Sequence, residues 1–181
     1  MDKEQVIEIL QEGGVGVMLT DTLYGLVGSA LASDTVERIY TLKKRDINKP
    51  VIVLIPEVED VERFGVVLSE ELLEQLSSYW PGTYSIVLPA IDEEFEFLSR
   101  GTDTIAFRVP DDEELREILR ETGPLVAPSA NTEGNPPATN IEMAQKYFFE
   151  LVDFYLDGGD VEGRASTLIR INEDGVEILR D

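Results

Sequence analysis

The chain has 181 residues, of which 43% are hydrophobic, and this is enough for the core of one domain or at most two small ones. It contains no cysteine and no histidine, which excludes disulfides, thiolate chemistry and the commonest general base and metal ligand. Its 15 basic and 37 acidic residues give a net charge of −22, so most of its surface repels a nucleic-acid backbone. We therefore expect no strong direct binding of nucleic acid.

The N-terminal segment predicts a soluble, cytoplasmic protein. Residues 1–14, MDKEQVIEILQEGG, have the pattern of an amphipathic helix with a capping box formed by Asp2 and Gln5. The segment lacks the basic and apolar regions of a signal peptide. Because no apolar run approaches the roughly 20 residues that cross a bilayer, we expect no association with a membrane.

The rest of the chain alternates helix signals with short apolar segments. Further helices are predicted to begin at capping residues, namely Asp34, Ser69, Asp111 and Thr139. Strands are predicted at residues 15–19, 51–55, 85–88, 104–109, 125–127, 154–156, 166–171 and 176–179. This alternation predicts an α/β fold with a mixed, strongly twisted β-sheet and flanking helices.

Two predicted strand regions carry a small or polar face. In residues 104–109 one side consists of Thr104, Ala106 and Arg108, and the other of Ile105, Phe107 and Val109. Extended geometry after residue 125 likewise places on one side Ala127, Ser129 and Asn131. Small residues on two strands predict a hollow above the sheet. Arg108 is costly to bury there without an anion, so we expect it to await a ligand carboxylate.

A dense basic cluster follows the predicted second helix. It consists of Lys43, Lys44, Arg45 and Lys49. Basic residues at a helix C-terminus complement the helix dipole, and this could account for one or two of the four. Since Lys49 lies beyond the helix, we favour a phosphate-binding loop.

Two weaker polar segments lie at strand ends. Residues 20–22 offer two hydroxyls and a carboxylate, which suit an ammonium, a hydroxyl or metal-bound water but also an ordinary turn. Ser166 and Thr167 precede a strand and are weak evidence alone. No Walker loop, dinucleotide fingerprint, CxxC or HExxH motif occurs, so a phosphate site would be built from side chains.

Taken in order along nearly the whole chain, five segments resemble the motifs of the YrdC-like family, which includes the threonylcarbamoyl-AMP synthases. They are TDTLYGL at 20–26, KKRDINKP at 43–50, WPGTYSIVL at 80–88, TIAFRVP at 104–110 and APSAN at 127–131. DGG at 157–159, ST at 166–167 and Arg180 resemble the C-terminal part of the family pattern. The chain departs from the family at Leu19 and Thr83, where proline is common. The resemblance implies a single YrdC-like domain over residues 1–181, with a twisted sheet around a large open cavity.

The resemblance also implies an activity. A nucleotidyltransferase of this family converts ATP, L-threonine and bicarbonate to threonylcarbamoyl-AMP and pyrophosphate, with Mg²⁺ delivered with ATP and no resident metal. The product would pass to a downstream threonylcarbamoyl transferase complex for tRNA modification. The alternative is a YrdC-like nucleotide- or RNA-binding module without synthase activity, such as a ribosome-associated factor.

Family roles carry over to matching residues. Lys43 and Arg45 would be catalytic by stabilising charge, and no general base is expected. The implied ATP-binding residues are Lys43, Arg45, Lys49, Thr104, Ser129, Asn131 and Arg180. The implied threonine-binding residues are Thr22, Arg108, Ala127 and Ser166.

Overall fold

A computed structural model describes residues 1–90, 92–172 and 175–181. Its strands are β1 Gly16–Leu19, β2 Tyr24–Ser29, β3 Ile52–Leu54, β4 Tyr84–Pro89, β5 Thr104–Arg108, β6 Leu125–Val126, β7 Phe154–Leu156, β8 Thr167–Asn172 and β9 Gly175–Arg180. Its α-helices are α1 Lys3–Gln11, α2 Ser33–Lys43, α3 Glu70–Ser77, α4 Glu96–Ser99, α5 Glu113–Thr122 and α6 Ile141–Phe148. Two 3₁₀ helices span Val58–Phe64 and Glu93–Phe95. None of these helices is long and apolar enough to cross a membrane.

The described strands form one mixed sheet, in the order β7-β1-β2-β6-β3-β5-β4-β8-β9. Three neighbouring pairs are parallel (β1 with β7, β3 with β5, and β4 with β8), and the others are antiparallel. The predicted α/β fold with a mixed sheet is confirmed. The single domain over residues 1–181 stays a prediction.

β2 is a strand that the sequence pattern did not predict. All its residues except Ser29 are buried, so it lacks the alternation of a half-exposed strand. Gly28 also has a structural reason, since an added Cβ would lie 2.6 Å from the Thr35 side chain of α2. A buried strand that holds glycine for close helix packing is hard to recognise from sequence.

The predicted helix starts are close to the observed ones. Asp2 caps α1 in a capping box and Ser69 caps α3, as predicted. The caps of α5 and α6 are Asp112 and Asn140, each one residue later than predicted. α2 begins at Ser33 without a side-chain cap, so the predicted cap at the following residue is wrong.

Helices cover the two faces of the sheet unequally. α1 and α5 pack over one part of one face, where Leu10 and Leu119 lie in the same apolar cluster as Leu54 of β3. Phe107 of β5 faces the other way, into the larger core beneath α2 and α6. Because β3 and β5 are in register, Ala106 of β5 shares its face with Ile52. That part of the face is the floor of an open cavity.

Candidate functional site

The cavity has a volume of about 500 Å³ and lies over β3, β5, β4, β8 and β9. Its walls come from the turn between β1 and β2, the basic loop after α2 and the segment after β6. All but two of the predicted site residues line it, namely Thr22, Arg45, Lys49, Thr104, Arg108, Ala127, Ser129, Ser166 and Arg180. The exceptions are Lys43 and Asn131. The polar face of β5 is therefore as predicted.

Arg108 is paired with a carboxylate of the chain itself. Its Nη2 donates to Asp21 Oδ1 over 2.9 Å, and the two side chains are only 4% and 2% exposed. The expectation that Arg108 has no anion until a ligand arrives is therefore wrong. Asp21 was absent from the predicted site, although its place in a Thr-Asp-Thr turn at a strand end was the available signal.

The Arg108–Asp21 pair retains unused hydrogen-bonding capacity. Among the described residues, Arg108 Nε and Asp21 Oδ2 are buried without a hydrogen-bond partner. Arg108 also donates weakly to Thr22 Oγ1 at 3.3 Å and to Ser85 Oγ at 3.4 Å. Burial raises the pKa of Asp21, opposed by the adjacent guanidinium, and burial lowers the pKa of Arg108. A guanidinium with a free donor in the cavity floor can bind a carboxylate.

Two serines lie at this polar end, of which Ser166 lines the cavity and Ser85 is buried beside it. The buried hydroxyls of Ser85 in β4 and Ser166 before β8 are 2.8 Å apart. Arg180 Nη2 donates to the Ser166 carbonyl over 2.9 Å and lies 3.3 Å from its hydroxyl. Ser85 lies in an ordinary apolar strand pattern, so nothing in the sequence marked it as a site residue.

Lys43 lies behind the cavity wall. It is buried at the end of α2, and its Nζ donates to Ser129 O at 2.5 Å, Asn131 O at 2.8 Å and Asn131 Oδ1 at 3.1 Å. Burial lowers the pKa of Lys43 to about 7, with a further lowering from Arg45 and an opposing effect of Glu133. Three acceptors match the three protons of a lysine ammonium, so Lys43 ties α2 to the 129–131 loop.

Asn131 is turned into its own loop. Its Oδ1 accepts from Ser129 Oγ over 2.7 Å, and its Nδ2 donates to Asn135 O over 2.7 Å. The backbone N–H of Asn131 also donates to the Ser129 carbonyl, so the chain turns instead of continuing as a strand. The predicted common face therefore ends at Ser129, and the prediction that Asn131 points into the hollow is wrong.

Of the basic cluster, only Arg45 and Lys49 line the cavity. Arg45 Nε donates to Lys49 O over 3.2 Å and its Nη2 to Pro50 O over 2.7 Å. The Lys49 ammonium contacts the Glu133 carboxylate. Lys44 is exposed at the helix C-cap with a φ of 52°, so the helix-end explanation holds for that residue. Glu133 was not predicted, because its pairing depends on a loop 84 residues away.

Three of the arginines that line the cavity, Arg45, Arg108 and Arg180, are linked through the effect of their charges on one another. Burial lowers the pKa of Arg180, and the charge of Arg45 adds to this effect. The charge of Arg180 likewise lowers the pKa of Arg108. Such mutual destabilisation of cations makes the cavity attractive to anions, in a chain whose net charge is −22.

The segment after β7 closes one side of the cavity against the turn after β1. Tyr24 donates through its hydroxyl to Gly159 O over 2.8 Å and accepts from Gly158 N over 2.9 Å. At Gly163, an added Cβ would lie 1.9 Å from the Thr22 carbonyl, so only glycine fits. Tyr24 belongs to the TDTLYGL motif, but its role in holding this segment was not predicted.

Known proteins are similar to this chain in sequence and in fold. A threonylcarbamoyl-AMP synthase of Pyrococcus abyssi is 32% identical over 173 residues, which cover 94% of this chain and 51% of that protein. One of Pseudomonas paraeruginosa is 32% identical over 163 residues, which cover 90% of this chain and 88% of that protein. The P. abyssi Sua5 structure complexed with L-threonine has a TM-score of 0.89 at 30% identity, covering 98% of this chain and 53% of that chain.

The chain thus spans about half the length of the Pyrococcus protein in both comparisons. The sequence profile of the Sua5/YciO/YrdC family, described as telomere recombination, matches residues 8–181. The resemblance found in the five sequence motifs is confirmed over nearly the whole chain, and the chain belongs to the Sua5/YciO/YrdC family.

Proposed function

We propose that this chain is an L-threonylcarbamoyladenylate synthase, a nucleotidyltransferase that converts ATP, L-threonine and bicarbonate to threonylcarbamoyl-AMP and pyrophosphate. The observation that carries the proposal is a single cavity with two kinds of cationic site. Arg108 lies beside hydroxyl groups at one end of the cavity. Arg45 and Lys49, in the basic loop after α2, line another part of it. The names of the Pyrococcus and Pseudomonas relatives support this activity.

The Arg108 end is proposed to bind threonine. The unpaired Nε of Arg108 would take one oxygen of the substrate carboxylate, and the guanidinium plane favours a two-pronged contact. Thr22, Ala127 and Ser166 would complete the pocket around the substrate side chain. Support comes from the P. abyssi Sua5 structure, which was solved with L-threonine.

The basic-loop end is proposed to bind the triphosphate of ATP. Arg45 and Lys49 would contact phosphate oxygens, with Thr104, Ser129 and Arg180 nearer the rest of the nucleotide. Mg²⁺ would enter with ATP as part of the substrate, since this hard cation is commonly held by substrate phosphates. Lys43 and Asn131 would act by holding the wall in place, because neither lines the cavity.

The chemistry suits a site without histidine or cysteine. The threonine amine would attack bicarbonate and lose water, which forms a carbamate with an anionic oxygen. That oxygen would attack the α-phosphorus of ATP, so that a new O–P bond forms as the bond to the departing pyrophosphate breaks. An anionic nucleophile needs positioning and charge neutralisation more than a general base. Cations near the leaving pyrophosphate, Arg45 among them, would stabilise the developing charge.

The proposed place in the cell is the cytoplasm, where a downstream threonylcarbamoyl transferase complex would consume the product to modify tRNA. The test is pyrophosphate release from ATP, with threonine and bicarbonate omitted in turn. We expect release only when all three substrates are present. Pyrophosphate release that is unchanged without threonine or bicarbonate would contradict the synthase activity. ATP binding without any release would instead favour a nucleotide-binding module.

A further inference from the structure

The Lys49 carbonyl is the meeting point of two side chains. It accepts a hydrogen bond from Tyr40 Oη over 2.7 Å and another from Arg45 Nε over 3.2 Å. Arg45 lines the cavity, whereas Tyr40 is 2% exposed and lies outside the lining. A buried hydroxyl outside the cavity therefore shares its acceptor with a guanidinium inside it.

The ring of Tyr40 is in turn contacted by Arg100. The guanidinium carbon of Arg100 lies 4.1 Å from the centre of the Tyr40 ring, within the range of a cation–π contact. Arg100 Nη2 lies 2.7 Å from Glu37 Oε1, one turn before Tyr40 on α2. Glu37 and the stacked guanidinium thus fix the orientation of the ring, and with it the direction of the hydroxyl.

The placement of Arg100 is costly for the protein. Its backbone adopts a left-handed φ of 54°, which is unfavourable for a residue other than glycine. Its side chain is only 14% exposed, and among the described residues its Nε has no hydrogen-bond partner. A mostly buried, incompletely bonded arginine stacked on a single tyrosine indicates that the orientation of this tyrosine matters.

The orientation of Tyr40 affects the orientation of the Arg45 guanidinium. Two of its nitrogens, Nε and Nη2, are committed to the carbonyls of Lys49 and Pro50, which fixes the plane of the guanidinium. A cation fixed in this way loses less conformational entropy when a phosphate binds. Tyr40 holds the first of those carbonyls in place, so it contributes to the orientation of Arg45 without touching a ligand.

We propose that Tyr40 is a positioning residue for Arg45, acting through the Lys49 carbonyl, and that Arg100 in turn positions Tyr40. The proposal rests on the proposed function to the extent that Arg45 binds the phosphates of ATP. It deepens that function by extending the phosphate site to a chain of contacts that ends at Glu37.

The first test is Tyr40→Phe, which keeps the ring and removes only the hydroxyl. Calorimetry with ATP, and separately with inorganic tripolyphosphate, should show about a fivefold weaker affinity, the size of one neutral hydrogen bond. Threonine affinity should stay unchanged, because Arg108 is held by other groups. Tyr155→Phe is the matched control, since Tyr155 also donates to a backbone carbonyl over 2.7 Å, but its acceptor residue Phe149 does not line the cavity as Lys49 does.

A double-mutant cycle separates positioning from general stability. In an Arg45→Ala background, the Tyr40→Phe change should no longer affect tripolyphosphate affinity, because the residue that it positions is gone. Wild-type affinity in Tyr40→Phe, or an equal loss with and without Arg45, would overturn the proposal. If Tyr40→Phe does not fold, Arg100→Lys tests the proposal instead. Lysine keeps the charge but cannot stack as a plane on the Tyr40 ring, so tripolyphosphate affinity should again fall. Unchanged affinity there would also overturn it.

The two ligands distinguish this inference from the proposed function. A wild-type protein that binds tripolyphosphate but releases no pyrophosphate from ATP would contradict the synthase activity and leave the cycle fully interpretable. A wild-type protein that binds ATP and releases pyrophosphate, with no coupling between residues 40 and 45, would contradict the inference alone. A wild-type protein that binds neither ligand would contradict both.

Discussion

Arg108 of β5 and Asp21 of the turn after β1 form a buried ion pair with an Nη2–Oδ1 distance of 2.9 Å, although 87 residues separate them along the chain. The pair joins the floor of the cavity to its wall. It supplies an anion to a mid-strand arginine, and it leaves Arg108 Nε and Asp21 Oδ2 without hydrogen-bond partners among the described residues.

Arg108→Ala should destabilise the empty protein by about 3–5 kcal/mol, because it leaves the Asp21 carboxylate buried without its partner. Urea unfolding of the ligand-free variant measures this change. Lys3→Ala is the control: it removes an exposed ion pair with Glu117 and should leave the unfolding midpoint almost unchanged. Equal midpoints for wild type and Arg108→Ala would show that the buried pair contributes nothing to stability.

Arg108→Lys should separate the two substrates. A lysine retains a charge opposite Asp21 but cannot reproduce a two-pronged carboxylate contact, so threonine affinity should fall about tenfold or more. ATP affinity should remain that of the wild type. The measurement is a threonine titration at saturating ATP. Normal threonine affinity would mean that Arg108 serves only as the partner of Asp21.

Arg45→Ala should weaken ATP binding about tenfold or more, since a charge-assisted contact is worth about 1.5–3 kcal/mol. Its neighbour provides the control, because Lys44 is equally basic but does not line the cavity. Asparagine tolerates the left-handed backbone found at residue 44, so the Lys44→Asn variant should fold and bind ATP normally. If calorimetry gave the same ATP affinity for Arg45→Ala as for wild type, the basic cluster would be explained by its position at the C-terminus of α2 and not by phosphate binding.

The lowered pKa of Lys43 leads us to expect that ATP binding depends on pH. Its pKa is lowered to about 7, and nearby phosphates should raise that pKa by favouring the charged form. ATP binding should therefore take up protons above pH 7, and affinity should fall as the pH rises from there. Calorimetry in buffers of different ionisation enthalpy measures the uptake. A Lys43→Met variant with the same proton uptake would show that another group is responsible.

The same lysine predicts the opposite trend for stability. Between pH 7 and the ordinary lysine pKa of 10.5, the unfolded chain keeps a proton that the folded protein has lost. The free energy of unfolding should therefore rise with pH, by at most about 1.4 kcal/mol per pH unit from this group. Comparing urea unfolding of wild type and Lys43→Met from pH 7 to 9 isolates the effect, and parallel curves would contradict it.

RNA binding should be weak, because a net charge of −22 opposes association with a phosphate backbone. Fluorescence anisotropy with double-stranded RNA at several salt concentrations measures this interaction. A salt-dependent affinity below about 1 µM would favour the RNA-binding alternative, since non-specific contacts alone bind more weakly.

Local pattern was sufficient for several features of the site. Alternation along β5 correctly assigned Ala106 and Arg108 to the cavity and Phe107 to the core, because side-chain direction in a strand has a period of two. The concentration of basic residues after α2 predicted a phosphate-binding loop, and two of those residues, Arg45 and Lys49, line the cavity, while phosphate binding itself stays a prediction. These features depend on residues that are neighbours in sequence.

Only the tertiary structure decided which charged groups meet. Lys43 ends behind the wall because Ser129 and Asn131, 86 and 88 residues later, supply its three acceptors. Arg108 is paired because the turn after β1 meets β5, although three strands separate β1 from β5 in the sheet order. A tight turn at Ser129 also ended the alternation that had placed Asn131 in the hollow. A side chain's direction follows from local backbone geometry, whereas its partner depends on which distant segments the tertiary fold brings together.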